Sequence, residues 1–361
     1  MKILHVETGR HFYGGPQQVM YLIGALDARG HESILVCPPG SGIDAAARQV
    51  GIRVQNLFCA GDVDLPFAYR LTQYLRELQP DLVHCHSRRG ADMLGGMAAS
   101  FADIPAVVSR RVDNAEMRLL AALRYRPFSK IIAISATIAR VLRGHGIDAD
   151  RIEVIRSAVD TERLSQTADC GPVHDEFAVP DKACVIAAVG QLIPRKGHRY
   201  LLQAMADLRH RYPQLRLVIF GEGYLNNQLR AQAASLGLGD IVQFAGFRED
   251  LDDFMGCIDI LAHPALAEGL GVAALKAAAA AVPVVGFAAG GLPEAVVDKE
   301  TGLLVPPEDT DALGVALATL VDDPGLRRRM GAAGQRRMQK EFSIATMADK
   351  HVNLYETVLH G

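Results

Sequence analysis

Between Ala262 and Glu294 the chain reads AHPALAEGLGVAALKAAAAAVPVVGFAAGGLPE, an order that few architectures accept. The apolar run IDILAH is a buried strand that stops at Pro264. A short loop carries Glu268-Gly-Leu-Gly to an alanine-rich helix. A second apolar run, VPVVGF, leads to Gly290-Gly291 and another helix. Strands that are apolar throughout belong to a parallel sheet covered on both faces by helices. Two strand ends thus feed glycine turns into helix N-termini, whose unpaired amides and positive dipole ends attract anions. A carboxylate among them lies close to a bound phosphate and can address the attached group. A phosphorylated ligand with hydroxyls on its other part is implied, and a nucleotide-sugar fits.

The same alternation runs through the chain. Strands are expected at Lys2–Glu7, His31–Cys37, Asp81–His86, Ala106–Ser109 and Lys130–Ile134. A helix runs from Pro16 to about Arg29 and another over Ala68–Leu78. The polar stretch 165–182, with Gly171, Pro172 and Pro180, reads as a linker. A fresh strand starts at Ala183. Helix 198–211, strand 215–220, helix 225–235, strand 241–244, helix 249–256 and strand 258–262 follow. With 361 residues and 49% apolar content there is material for two cores. The expected fold class is α/β: two Rossmann-like domains facing each other across a cleft. Residues 1–167 form the first, rejoined by the final helix 344–361, and 168–343 form the second. Ligands of such sheets bind beyond the carboxyl ends of strands.

Several partner classes are disfavoured. The net charge of −3 argues against nucleic acid. No apolar run is long enough to span a bilayer, and the start MKILHV does not read as a secretion signal. The six cysteines contain no C-x-x-C pair and read as core thiols in a reducing, cytoplasmic setting.

Chemistry concentrates in a few places. Gly190-Gln-Leu-Ile-Pro-Arg195-Lys196-Gly197 joins a strand to a helix, and two cations there suit a diphosphate: arginine as a planar fork, lysine as a point charge. Alternatively it is a solvated basic turn. Glu268 is either a ligand-facing carboxylate or a helix cap, and Lys276 lies in the second turn of the helix after it. Gly14-Gly15 lacks the full dinucleotide fingerprint G-x-G-x-x-G but could let backbone approach a phosphate or an acceptor. His84 and His86 end one strand on one face. Zinc is conceivable there, but no further ligand cluster shows, so no metal is assigned. Arg88, Arg89, Arg110, Arg111, Arg118, Arg124, Arg126 and Lys130 crowd one region, half offset by Asp92, Asp103, Asp113 and Glu116. That region is a solvated surface, or it faces an anionic acceptor or anionic lipid headgroups.

Taken together, these residues resemble the family 4 retaining glycosyltransferases, which have the two-Rossmann-domain GT-B fold. The likeness runs through GRHFYGGPQQVMYLIGALDARGHE, DLVHCHS, RIEVIRSAVDTERL, GQLIPRKGHRYLL, FGEG, VQFAGF and EGLGVAALKAAAAAVPVVGFAAGGLPEAV. The resemblance implies transfer of a sugar from a nucleotide donor, UDP- or GDP-linked, to an acceptor hydroxyl with retention and without a metal or other cofactor. By it, Arg195 and Lys196 hold the phosphates beside the Gly190 and Gly221 turns, and Leu270 and Gly271 add backbone contacts. Glu268 meets the donor sugar, and Phe247 and Arg248 border the base. Gly15 and His86 approach from the first domain, with Gly14, His84 and Arg111 on the acceptor side. Glu268, His86, Arg195 and Lys196 are the implied catalytic set.

The family's second glutamate, which binds ribose hydroxyls, is Lys276 here, a donor-only cation that as part of the donor site could reach a diphosphate oxygen, or else pair with a nearby acid. Gly190-Gln191 stands where Gly-Arg is common, and Ser109-Arg110-Arg111 where many members have a histidine. The function this implies is synthesis of a cell-envelope glycan, lipopolysaccharide or glycolipid, on a glycan or lipid-linked acceptor, with peripheral contact to an anionic membrane surface. A catalytically weak nucleotide-sugar-binding subunit and a nucleotide-sugar epimerase of the same fold are the alternatives.

Overall fold

The computed structural model describes residues 1–86, 90–112, 116–181 and 183–361. Arg88, Arg89 and Asp113 of the basic cluster, and Lys182 at the end of the linker, lie outside the described residues. The chain divides into two compact units, Met1–Ala158 with Ile344–Gly361, and Val159–Ser343.

In the first unit, strands β1 (Lys2–Val6), β2 (Glu32–Cys37), β3 (Arg53–Asn56), β4 (Leu82–Cys85), β5 (Ala106–Arg110), β6 (Lys130–Ala133) and β7 (Ile152–Val154) form one parallel sheet in the order β3-β2-β1-β4-β5-β6-β7. Helix Gly14–Asp27 follows β1 and buries Val19, Leu22, Ile23 and Leu26, the spacing of one helical face. The last helix, Ile344–His360, adds Met347, Leu354 and Tyr355 to the core formed by Ile3, Leu22, Leu26, Leu82 and Ile132. Burying a side chain of this size contributes roughly 1.5–3 kcal/mol. Leu22→Ala would remove a wall shared by the sheet and both helices, at a cost of about 2–5 kcal/mol.

In the second unit, β8 (Val185–Val189), β9 (Arg216–Phe220), β10 (Val242–Gly246), β11 (Ile260–His263), β12 (Val284–Phe287) and β13 (Gly302–Val305) form a parallel sheet in the order β10-β9-β8-β11-β12-β13. Strand order reverses between β1 and β4 in one unit and between β8 and β11 in the other, and crevices for ligands open at such points.

Three expectations are corrected. The first unit ends at Ala158, before the expected 167, because Val159 donates its amide to the Phe342 carbonyl and helix Thr161–Leu164 packs against helix Val272–Ala279. The expected helix 249–256 is two separate 3-10 turns, Leu251–Asp253 and Met255–Cys257. Cys170 and Cys257 are not thiols but a disulfide; Cys37, Cys59, Cys85 and Cys184 keep their thiols. Among the described residues no helix is long and apolar enough to cross a membrane.

Candidate functional site

The second unit gathers its polar groups at the ends of β8 and β11. After β8, Pro194–Lys196 makes a single 3-10 turn, and helix His198–Arg211 begins only beyond Gly197. Arg195 and Lys196 therefore precede the helix by a turn instead of opening it. Gly197 has φ of +68°, and a Cβ there would lie 1.9 Å from the Pro264 carbonyl oxygen, so only glycine lets this turn rest on the loop after β11.

That approach brings Lys196 to Glu268. The Lys196 ammonium donates to Oε2 of Glu268, and His263 Nε2 lies 3.2 Å from the same oxygen. Oε1 accepts from the Gly269 amide at 3.2 Å. Behind the carboxylate, the Gly291 amide donates to the Glu268 carbonyl at 2.8 Å. Gly290 has φ of +57°, and its Cβ would fall 2.3 Å from that carbonyl oxygen. Burial alone would raise the Glu268 pKa, but His263 and Lys196 outweigh it and hold the carboxyl well below the usual range. Glu268 is thus an ionised, oriented acceptor, with 14% of its side chain exposed.

Around this pair, Arg195 is exposed. Its guanidinium donates to the Ala267 carbonyl at 3.3 Å and has no carboxylate partner among the described residues. Gly190 and Gly221 end neighbouring strands, their amides bonded to Phe220 and Gly246. Leu270 is buried and offers only backbone, and Gly271 opens helix Val272–Ala279 without a side-chain cap. Lys276 takes the alternative of pairing with an acid: its ammonium donates to both oxygens of Asp252 at 2.8 Å. Phe247 is half exposed. Arg248 bonds Asp250 and Glu176.

In the first unit, Gly14 and Gly15 start helix Gly14–Asp27, which has no side-chain cap. Arg111 lies beside them, its Cδ 3.8 Å from where a Gly15 Cβ would stand. Burial lowers the Arg111 pKa to about 10, against the pull of Glu7. His86 Nδ1 is 3.5 Å from the Arg111 guanidinium, and His86 Nε2 is 2.9 Å from His5 Nδ1. His84 was expected on the acceptor side. It is fully buried, with Nδ1 2.6 Å from the Tyr355 hydroxyl and Nε2 2.8 Å from that of Ser109, so both ring nitrogens are engaged within the unit.

His5 completes a cluster that the sequence reading missed. Parallel pairing places His5 opposite His84, and the ring nitrogens of His5, His84 and His86 lie within 4.8 Å of one another, close enough to hold an ion. Burial pushes all three pKa values down, to about 3 for His5, which leaves neutral imidazoles. Their hydrogen bonds to each other, Tyr355 and Ser109 compete with any ion. Part of the basic cluster is also structural: Arg110 pairs with Glu116, and Arg124 with Asp92 and Glu116.

Two family models match, "Glycosyltransferase Family 4" over residues 13–163 and "Glycosyl transferases group 1" over 173–337. The chain is 34% identical over 216 residues to the GDP-mannose-dependent monoacylated alpha-(1-6)-phosphatidylinositol monomannoside mannosyltransferase of Corynebacterium glutamicum, covering 57% of this chain and 56% of that protein. It thus spans little more than half the length of that relative. It is 25% identical to the lipopolysaccharide core biosynthesis glycosyltransferase LpsD of Rhizobium meliloti, over 99% and 98% of the two chains. The crystal structure of Anabaena Alr3699/HepE in complex with UDP superposes with a TM-score of 0.88 at 21% identity, over 99% of this chain and 100% of that one. Two parallel α/β units with reversed strand order, and these neighbours, define a GT-B fold. The chain belongs to the family 4 glycosyltransferases.

Proposed function

We propose that the protein transfers a sugar from a UDP- or GDP-linked donor to an acceptor hydroxyl in cell-envelope glycan, lipopolysaccharide or glycolipid synthesis, with retention and without a metal or cofactor. The observation that carries this reading is the Lys196–Glu268 pair between two glycine-bearing strand ends. Glu268 can accept hydrogen bonds from sugar hydroxyls while Lys196 and Arg195 meet the diphosphate. Leu270 and Gly271 add backbone amides, and the Gly190 and Gly221 turns, packed on each other, lie beside the phosphates. Phe247 and Arg248 flank the base. Cations and helix dipoles fixed before reaction stabilise the charge that grows on the leaving diphosphate. No side chain is needed as a nucleophile if the acceptor attacks from the face the diphosphate leaves. Its proton then passes to a departing phosphate oxygen.

The first unit takes the acceptor. Gly14, Gly15 and Arg111 form its polar floor, with His86 positioning Arg111. Met117, at the N-cap, and Leu119, Leu120 and Leu123 of helix Arg118–Tyr125 are exposed, with Arg118 and Arg126 exposed among them. An apolar and basic face of this kind supports peripheral contact with an anionic membrane, where a lipid-linked acceptor resides. The test is incubation with UDP- and GDP-sugars and membrane extract. Release of free nucleotide with a glycosylated product, its anomeric configuration read by NMR, supports the reading. An isomerised donor without product would identify an epimerase, and binding without turnover a binding subunit.

A further inference from the structure

The segment 246–257 begins at the last residue of β10 and carries Phe247, Arg248 and Asp252. Two short 3-10 turns are its only regular structure, and Leu251, Phe254 and Met255 are among its few apolar anchors. A cavity of about 240 Å³, lined by Arg163, Gln166, Asp169, Asp252, Asp253 and Gly256, separates it from the stretch 163–169. Side-chain ties add to these anchors. Asp253 pairs with Arg163 and Arg248 with Glu176, both exposed ion pairs that constrain little in water. A further tie is covalent: Cys257 is bonded to Cys170, which precedes helix Gly171–Glu176, across 87 residues of sequence. Asp252 in turn holds Lys276, in the helix that follows the Glu268 loop.

We propose that Cys170–Cys257 is a reversible redox latch that fixes the 246–257 segment, so that thiol–disulfide exchange sets affinity for the nucleoside diphosphate. The affinity part rests on the nucleotide-sugar reading; the latch itself does not. Cys170 is half-buried, whereas Cys257 is buried, so exchange starts at Cys170. A dithiol reductant attacks one sulfur and forms a mixed disulfide. Its second thiolate displaces the remaining protein sulfur. Two electrons and two protons pass to Cys170 and Cys257 as thiols, and the reductant leaves as a disulfide. A reduced segment samples more conformations, and a nucleotide must order it again on binding.

The experiment measures UDP and GDP affinity by calorimetry for the full chain, oxidised and dithiothreitol-reduced, beside Cys170→Ser and Cys257→Ser. Hydrogen exchange over 246–257 is followed in the same samples. Non-reducing peptide mapping should recover the 170–257 cross-link. Reduction should weaken binding by roughly five-fold or more. Both serine variants should match the reduced protein and ignore dithiothreitol. Free thiols at both positions after oxidation would overturn the latch, as would equal affinity and equal exchange in the two states. If neither state binds nucleotide, the donor reading fails by itself. The latch then stands on faster exchange of 246–257 after reduction and falls if exchange is unchanged.

Discussion

Lys196 and Glu268, 72 residues apart in sequence, share a hydrogen bond because Gly197 lets the turn after β8 touch the loop after β11. The pair has two consequences, one for the ligand and one for the fold. Glu268→Gln should impair sugar transfer more than binding of free UDP or GDP, since the carboxylate is assigned to the sugar end of the donor. Equal losses in transfer kinetics and in nucleotide calorimetry would make Glu268 a structural residue.

The depressed Glu268 pKa also sets a pH dependence. A carboxyl held below its unfolded value contributes stability that is present above the unfolded pKa and is lost as pH falls through the folded one. Urea unfolding from pH 7 down into the acid range should show wild type losing this contribution and Glu268→Gln lacking it at every pH.

Arg195 and Lys196 should separate. Arg195→Ala should weaken nucleoside diphosphate binding by about 1.5–3 kcal/mol and leave the melting temperature unchanged, because this exposed guanidinium holds no carboxylate among the described residues. Lys196→Ala should lower both, since it takes the only ammonium partner among the described residues from the Glu268 carboxylate. Calorimetry beside thermal melts distinguishes them.

Lys276→Glu should destabilise the protein by about 1–3 kcal/mol, because it sets a carboxylate against Asp252 in a largely buried place. The exchange Lys276→Asp with Asp252→Lys should recover most of the loss. A double-mutant cycle in urea reads the coupling directly.

Turnover should persist in EDTA, with lysine, arginine and helix dipoles meeting the diphosphate. Activity that vanishes with chelation and returns with Mg²⁺ or Mn²⁺ would reject this mechanism.

The alternation of buried strands and helices was legible because both faces of each sheet are covered, which makes β1, β4, β8, β11 and β12 apolar runs. Glycines beside charges marked the strand ends. What stayed hidden depends on contacts distant in sequence. His5 is one polar residue in an apolar strand until pairing sets it against His84. Asp252 and Lys276 meet only through a turn that reads as helix. Cys170 and Cys257 follow no short spacing. At the sheet edges, β3, β7 and β13 are only partly buried and lack the unbroken apolar run that marks the inner strands.

The first unit's core closes only when helix Ile344–His360 packs under Leu22 and Leu26. During synthesis, residues 1–158 therefore leave the ribosome without one wall of their core and wait while 159–343, a contiguous stretch with its own core, is made. The second unit can complete its fold first, against the usual N-to-C order of domains. A fragment ending near 343 should give a folded second unit joined to an unfinished first one.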